Sequence, residues 1–115
     1  MENLKNDMSL LKVKVYSGND AFPVANAKVV ISKVGKVEAF LITDENGATP
    51  FVKLPAPVKD LSLSDTGKES YDYRADIYAD GFKELKNLYI SLSGGTSSTL
   101  KVNMIPLYKG GEADA

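Results

Sequence analysis

The sequence predicts an all-β domain, namely a seven-stranded antiparallel sandwich of two sheets joined by Greek-key connections. Apolar and polar residues alternate with a period of two in most segments, which is typical of strands with one buried face. Turn residues recur about every ten residues, as they do in sandwiches built from short strands. No apolar pattern with helical spacing is long enough to predict a helix of ordinary length.

Each predicted strand follows this alternation and is bounded by a turn signal. In the first strand, Leu11, Val13 and Val15 form the apolar face. The clearest strand carries Tyr73 and Ile77 on its apolar face and charged residues on the other. The predicted strands cover residues 10–16, 27–34, 37–43, 51–54, 71–79, 85–92 and 99–105, with a further extended segment at 22–24.

A turn signal at residues 44–47 lies between two apolar segments, 39–42 and 51–54. Two strand-like segments separated by an Asx and Gly turn predict a β-hairpin. Gly47 supplies the positive φ that such a turn requires, and Asp44 can accept hydrogen bonds from the local backbone. We therefore expect the third and fourth strands to pair with each other.

The 115 residues predict one domain. We expect a flexible N-terminal tail over residues 1–9, the sandwich over 10–107 and a flexible C-terminal tail over 108–115. Residues 54–70 read as a loop, pinned by Leu61 and Leu63. A connection of this length either packs on the surface or carries function.

The composition argues against several classes of function. The chain contains no His and no Cys, so the commonest general base and transition-metal ligands are missing. We therefore predict no enzymatic activity, no metal and no cofactor. The net charge is −1 and Arg74 is the single arginine, which argues against nucleic acid as a partner.

Membrane insertion is also not expected, because no apolar stretch approaches the roughly 20 residues of a membrane span. The N-terminal residues are polar and lack the apolar core of a signal peptide. The sequence as written therefore predicts a cytoplasmic protein, with spore or cell-wall association as the alternative.

The ordered set of motifs from residue 10 to residue 107 resembles the carboxypeptidase regulatory-like domain, a transthyretin-like (prealbumin-like) sandwich. The segments that carry this resemblance are Pro23-Val24-Ala25-Asn26-Ala27-Lys28-Val29, Thr43-Asp44-Glu45-Asn46-Gly47, Leu54-Pro55, Tyr73 to Ala79 and Asp80-Gly81-Phe82.

A narrower resemblance is to the version of this domain found in clostridial-type spore cortex-lytic and peptidoglycan-binding proteins. It is carried by Thr49-Pro50, Leu54-Pro55-Ala56-Pro57, Leu61-Ser62-Leu63-Ser64, Tyr71-Asp72-Tyr73 and Asn103-Met104-Ile105-Pro106-Leu107. The resemblance implies an accessory module that accompanies cell-wall enzymes and is not itself the enzyme.

A candidate binding surface lies on the polar face of the fifth predicted strand. Tyrosine combines a flat apolar ring with a hydroxyl group, which suits sugar stacking and protein interfaces. Tyrosines are also common on strands, and charged neighbours keep a sheet face soluble. The candidate binding residues are Tyr71, Arg74, Asp76, Tyr78 and Tyr89.

Three other kinds of site fit the sequence less well. A Lys–Asn isopeptide bond between Lys12 or Lys14 and Asn103 requires a buried lysine, whereas alternation directs all three side chains outward. Calcium at Asp44, Glu45 and Asn46, with Asp60 and Asp65 in the long loop, lacks a cage of six or more oxygens. The related hydroxyisourate hydrolases resemble this fold, but their activity relies on histidines.

Two functions stay open. The first is a non-catalytic accessory module that binds peptidoglycan or a cell-wall protein. The alternative is a structural protein–protein interaction module that self-associates or pairs through a sheet edge.

Overall fold

The computed structural model describes residues 8–56 and 71–107, which form strands and turns without a helix. As the sequence predicts, they build an all-β sandwich of two sheets. One two-residue strand is added to the predicted seven. The strands are β1 Met8–Ser17, β2 Phe22–Pro23, β3 Lys28–Lys33, β4 Lys36–Ile42, β5 Val52–Pro55, β6 Tyr71–Tyr78, β7 Leu85–Leu92 and β8 Ser97–Met104.

The first sheet is organised around β1. Strands β2 and β5 pair with opposite ends of β1, both antiparallel. Strand β8 pairs with β1 in parallel over Leu10–Ser17 and Ser97–Met104. This parallel pair is the exception to the antiparallel prediction. Alternation identifies the buried face of a strand, but it does not report the direction of the neighbouring strand.

The second sheet has the order β4-β3-β6-β7, and every neighbouring pair in it is antiparallel. Two bulges interrupt its registers. One lies between Ile31 and Ser32 on β3 opposite β4, and the other between Ala75 and Ile77 on β6 opposite β7. Strands β4 and β7 form the two edges of this sheet in the described part of the chain.

The predicted hairpin of β4 and β5 is wrong. Strand β4 pairs with β3 in the second sheet, whereas β5 pairs with β1 in the first. The turn itself is present, because Gly47 N–H donates to Asp44 O at 2.8 Å and Asp44 N–H donates to Ala48 O at 2.9 Å. The chain uses this turn to cross between the sheets, so local turn chemistry does not pair its flanking strands.

Two buried threonines explain the crossing. Thr43 Oγ1 accepts the Ala27 N–H at 2.9 Å and donates to Val24 O at 2.7 Å. Thr49 Oγ1 accepts the Val13 N–H at 3.0 Å. The Thr43 hydroxyl therefore pairs with backbone groups just before β3 of the second sheet. The Thr49 hydroxyl pairs with a backbone N–H of β1, the central strand of the first sheet.

The core lies between the two sheets and contains the residues that alternation assigns to it. The predicted inward faces of β1, β3 and β6 are fully buried. The largest buried side chain is that of Tyr73, whose hydroxyl donates to Pro55 O in the opposite sheet. Members of these faces are Leu11, Val13, Val15, Val29, Ile31, Tyr73, Ala75 and Ile77.

Strand β1 begins at Met8, two residues before the predicted start at Leu10. Ser9 is buried, and its hydroxyl donates to Thr96 O at 2.9 Å. The other residues of the predicted tails, and residues 57–70 of the predicted loop, lie outside the described residues. Among the residues that are described, no helix has the length and apolarity needed to cross a membrane.

Candidate functional site

The outward face of β6 carries most of the predicted binding residues. Arg74, Asp76 and Tyr78 alternate with buried Ala75 and Ile77, so they project from the same side of the second sheet. Tyr89 joins this face because it lies directly opposite Arg74 on β7. Four of the five predicted residues thus share one sheet face.

Tyr89 is held by two partners on this face. Its hydroxyl donates to Asp72 Oδ1 at 2.7 Å, and the guanidinium carbon of Arg74 lies 5.0 Å from its ring centroid. The hydrogen bond to Asp72 raises the pKa of Tyr89 above its usual value. Both the hydroxyl and one ring face of Tyr89 are therefore engaged within the molecule.

Asp76 has a local structural role. Its Oδ1 accepts the Asn87 N–H at 2.8 Å, and Asn87 has a positive φ of 59°. This bond lies at the bulge where β7 slips past β6. Asp76 therefore stabilises the irregular segment of β7, as side-chain acceptors commonly do at turns and bulges.

Tyr71 does not join the other four residues. It has the same parity as buried Tyr73 on β6, and it packs against the margin of the core. The Lys33 ammonium lies 4.3 Å from the centroid of its ring. The start of β6 thus presents Tyr71 on the opposite side of the sheet from Tyr78.

Tyr78, at the end of β6, lines a groove of about 760 Å³ at one end of the sandwich. Three distant segments supply its apolar surface: Phe22 on β2, Phe82 after β6, and Leu107 beyond β8. Phe22 is 64% exposed and Leu107 is 53% exposed. The groove therefore offers accessible aromatic and aliphatic surface beside a tyrosine.

Backbone pairing brings the segments of Phe82 and Leu107 together. Lys83 N–H donates to Ile105 O and Leu107 N–H donates to Gly81 O, both at 2.8 Å. Phe82 and Pro106 form an isolated bridge. The sequence analysis gave Phe22, Phe82 and Leu107 no role in binding. Phe22 is placed by the pairing of β2 with β1, whereas Phe82 and Leu107 meet through contacts between positions that are far apart in the chain.

The rim of the groove is polar. Asn26, Lys28, Asp80 and Glu84 line it with an amide, an ammonium and two carboxylates. The Lys86 ammonium lies 5.6 Å from the Tyr78 ring centroid, and its interaction with Tyr78 raises the Lys86 pKa. Flat rings with hydrogen-bonding groups around them suit a polyhydroxylated ligand or a peptide.

In the acidic turn at residues 44–46, Asp44 uses one carboxylate oxygen for local hydrogen bonds. Asp44 Oδ1 accepts the Asn46 N–H at 2.8 Å and the Ala48 N–H at 3.0 Å. These bonds lower the pKa of Asp44, the Ala48 bond most. Within residues 8–56 and 71–107, no group of three or more acidic side chains is placed to hold a metal ion. Asp60 and Asp65 lie outside the described residues.

Lys12, Lys14 and Asn103 project from the outer face of the first sheet, as predicted from alternation. Asn103 is exposed and exchanges hydrogen bonds with Asp20, accepting its N–H at 2.8 Å and donating Nδ2 to Oδ1 at 2.7 Å. The side chain of Asn103 therefore secures the β1–β2 connection.

No protein-family model and no curated protein matches the chain. Solved structures resemble it in fold. A minor pilin of Streptococcus agalactiae superposes with a TM-score of 0.64 at 9% identity, over 92% of this chain and 47% of the pilin. A 3-chlorocatechol 1,2-dioxygenase of Rhodococcus opacus gives 0.61 at 12% identity, over 93% and 64%.

The TIE protein of Bacillus anthracis is a third structural neighbour, with a TM-score of 0.58 at 19% identity, over 86% of this chain and 17% of that protein. The chain spans less than two thirds of the length of each of these three proteins. At such identities the likeness establishes the fold alone. The chain is a β-sandwich module whose fold occurs both in enzymes and in pilins.

Proposed function

We propose that this protein is a non-catalytic accessory module that binds cell-wall glycan through the groove between Tyr78 and Phe22. The observation that carries the proposal is the groove itself, with its exposed aromatic surface and polar rim. Sugar rings stack on flat aromatic side chains. Carboxylates accept hydrogen bonds from sugar hydroxyl groups, and side-chain amides both accept and donate them. A wall-associated protein is the second partner that this surface would suit.

Membership of the carboxypeptidase regulatory-like group is part of the same proposal. Its support is the ordered set of motifs in residues 10–107 and the sandwich that those residues build. The absence of His and Cys from the sequence supports a binding role over catalysis. The fold of the pilin neighbour is compatible with such a module at the cell surface.

Co-sedimentation with purified peptidoglycan across a salt series tests the proposal. We expect binding that persists at high salt, because stacking is screened less than the attraction between exposed charges. Tyr78→Ala and Phe22→Ala should each weaken binding by about tenfold, equivalent to roughly 1.4 kcal/mol. Tyr16→Ala is the matched control, since Tyr16 lies on the outer face of the first sheet beside Lys101.

Two results would contradict the proposal. Absence of binding at every salt concentration would exclude peptidoglycan, and equal losses in the Tyr16 and Tyr78 variants would exclude the groove. Co-sedimentation with cell walls before and after protease treatment distinguishes glycan from a wall protein as the partner. Binding that disappears with the treatment would assign the groove to a wall protein.

A further inference from the structure

The strands of the first sheet carry lysines and no acidic residue. Strands β1, β2, β5 and β8 contain no Asp or Glu. The whole chain, by contrast, has 14 basic and 15 acidic residues and a net charge of −1. The positive charge of this sheet is therefore not a consequence of the overall composition. Its lysines are Lys12, Lys14, Lys53 and Lys101.

The strand registers place these four side chains in one row on the outer face of the first sheet. Lys12 and Lys14 alternate with buried residues of β1, so they project from this face roughly 7 Å apart. Lys101 lies directly opposite Lys14 on β8. Lys53 lies opposite Leu10 on β5 and is thus the diagonal neighbour of Lys12. We call this set, in the order Lys53, Lys12, Lys14 and Lys101, the lysine row.

The charges of the lysine row are largely uncompensated within the described residues. Lys101 forms an ion pair with Asp20, at 3.0 Å between Nζ and Oδ2. The other three lysines form no ion pair with any residue of the described ranges 8–56 and 71–107. Lys14 and Lys101 even face each other across neighbouring strands, and like charges in direct opposition are unfavourable. A polyanion would remove this unfavourable interaction.

Protection of sheet edges explains only half of the row. Lysines commonly protect edge strands from pairing with other chains. This explanation fits Lys53 on β5 and Lys101 on β8, since each of these strands pairs with β1. It does not fit Lys12 and Lys14, because β1 is the central strand with which β2, β5 and β8 all pair. The two central lysines therefore point to another role.

We propose that the lysine row binds a linear anionic polymer whose charges are phosphodiester groups. The row is one lysine wide and crosses three strands, which suits a chain of separate charges more than a broad membrane surface. Lysine binds phosphate oxygens as a point charge and does not need the bidentate geometry of arginine. None of the four lysines lines the groove beside Tyr78, so this site is distinct from the proposed glycan site.

The aromatic rings of this face favour a polymer without bases over a nucleic acid. The Lys12 ammonium lies 4.7 Å from the centroid of the Phe51 ring, and the Lys101 ammonium lies 6.0 Å from that of Tyr16. Each ring thus has a lysine over one of its faces. Proteins that bind single-stranded nucleic acid instead use such rings as open platforms on which bases stack.

Calorimetric titration of the whole chain with poly(glycerol phosphate) tests the proposal, from about 20 mM to about 300 mM salt. We expect log affinity to fall with log salt at a slope of about −2 to −3, since each phosphate contact on a flexible chain contributes about −0.7. Neutral dextran should not bind. Absence of polymer binding at the lowest salt would overturn the proposal. Groove binding is expected to persist at high salt, so the two proposals can fail separately.

A double variant locates the site. Lys12→Gln with Lys14→Gln should lower the affinity for the polymer by about tenfold, as expected for two exposed charge contacts. The matched control is Lys33→Gln with Lys36→Gln, which removes the same two charges from the β3–β4 hairpin of the second sheet. Equal losses in the two double variants would show that net charge alone drives binding, and would overturn the site.

Asp20→Asn should have the opposite effect. The Asp20 carboxylate accepts hydrogen bonds from Lys101 and Asn103, and asparagine keeps one acceptor oxygen while removing the charge. Release of Lys101 should raise the affinity by about threefold. Asp72→Asn removes a charge from the outer face of the second sheet and is the matched control. Equal gains in the two variants would exclude Lys101 from the site.

Two further ligands identify the class of polyanion. Oligothymidylate with the same number of phosphates should bind no more tightly than poly(glycerol phosphate), because the rings beside the row are engaged by lysines. Tighter binding of the oligonucleotide would assign the row to nucleic acid. Vesicles of phosphatidylcholine and phosphatidylserine should bind more weakly than the polymer. Binding to these vesicles without binding to the polymer would assign the face to a membrane. Either result would overturn the proposal.

Discussion

Two neighbouring regions of the chain differ in how many hydrogen bonds and buried side chains fix them to the rest of the molecule. The segment from Thr43 to Thr49 crosses between the sheets with its backbone bonded on both sides and both threonines buried. The β3–β4 hairpin, immediately before it in the chain, ends in Val34, which is 91% exposed. Val34 and Gly35 both have positive φ, 51° and 78°.

The difference shows where this fold has room to change. In the crossing segment, backbone groups of Thr43, Gly47 and Thr49 bond to residues of both sheets. A substitution there therefore disturbs both sheets. At the hairpin tip, Val34 adopts a left-handed conformation that is unfavourable for a β-branched residue. That conformation is tolerated without any compensating burial. The crossing segment therefore holds the sandwich together, and the hairpin with its edge strand is the more tolerant region.

Replacement of Gly47 by alanine should produce the largest loss of stability. An added Cβ would lie 2.5 Å from Val15 O, and the φ of +79° is unfavourable for any side chain. We expect a loss of about 3 kcal/mol, from left-handed strain plus displacement of β1. Urea unfolding followed by circular dichroism measures it.

Gly81→Ala is the matched control for this prediction. Gly81 has a φ of +86°, but no atom lies within 4 Å of its would-be Cβ. It should therefore show the conformational cost alone, about 1 kcal/mol. Equal losses at the two positions would show that the contact with Val15 is unimportant and that the crossing segment is no more constrained than an exposed turn.

Tyr73 provides a pH-dependent test of the closed interior. Burial raises its pKa to about 12, above the value of about 10 for an unfolded chain. The folded state therefore favours the neutral phenol. The stability that Tyr73 contributes is present below pH 10 and is lost as the pH rises through 12. Its hydroxyl also donates to Pro55 O across the sandwich.

Tyr73→Phe separates this contribution from other groups that titrate at high pH. At pH 8 the variant should be less stable by about 1 kcal/mol, the typical value of one hydrogen bond. The difference in unfolding free energy between the wild-type protein and the variant should become smaller between pH 10 and pH 12, because only the wild-type protein loses a proton at this position. A gap that is independent of pH would refute the assignment of the raised pKa to buried Tyr73.

Sequence patterns predicted the strands and their buried faces well, because a period of two directly reports which side of a strand is apolar. The predicted 85–92 strand matches β7, and the inward residues of β1 and β6 are the buried ones. The prediction of a hairpin at residues 44–47 was wrong because Thr43 and Thr49 form hydrogen bonds with backbone groups that are distant in the sequence. Nothing local distinguishes such a threonine from one in an ordinary turn.

The candidate site was less predictable for the same reason. Alternation correctly grouped Arg74, Asp76 and Tyr78 on one face. It could not show that the Asp76 carboxylate already accepts a hydrogen bond from Asn87 N–H. The sequence analysis also missed Phe22 and Leu107 as groove residues. Leu107 reaches the groove through pairing between remote segments, which no local pattern reports. The available signal for Phe22 was a large apolar residue beside Pro23 in a short extended segment.

Val34→Asn should produce the smallest effect and the opposite sign. Lys33 and Lys36 are paired on either side of Val34 and Gly35, which makes this a two-residue hairpin turn. Turns of this kind with two positive φ values favour Asn-Gly, and asparagine tolerates the left-handed region better than valine does. We expect a gain of about 0.5 to 1 kcal/mol, equivalent to roughly 4 °C in Tm.

The control for this change is Val37→Asn, on β4 itself. Val37 is also exposed but lies in a strand, where asparagine is disfavoured, so it should give no gain. A loss of stability in Val34→Asn would mean that contacts outside the hairpin hold the exposed valine in place, and the contrast between the two regions would then fail.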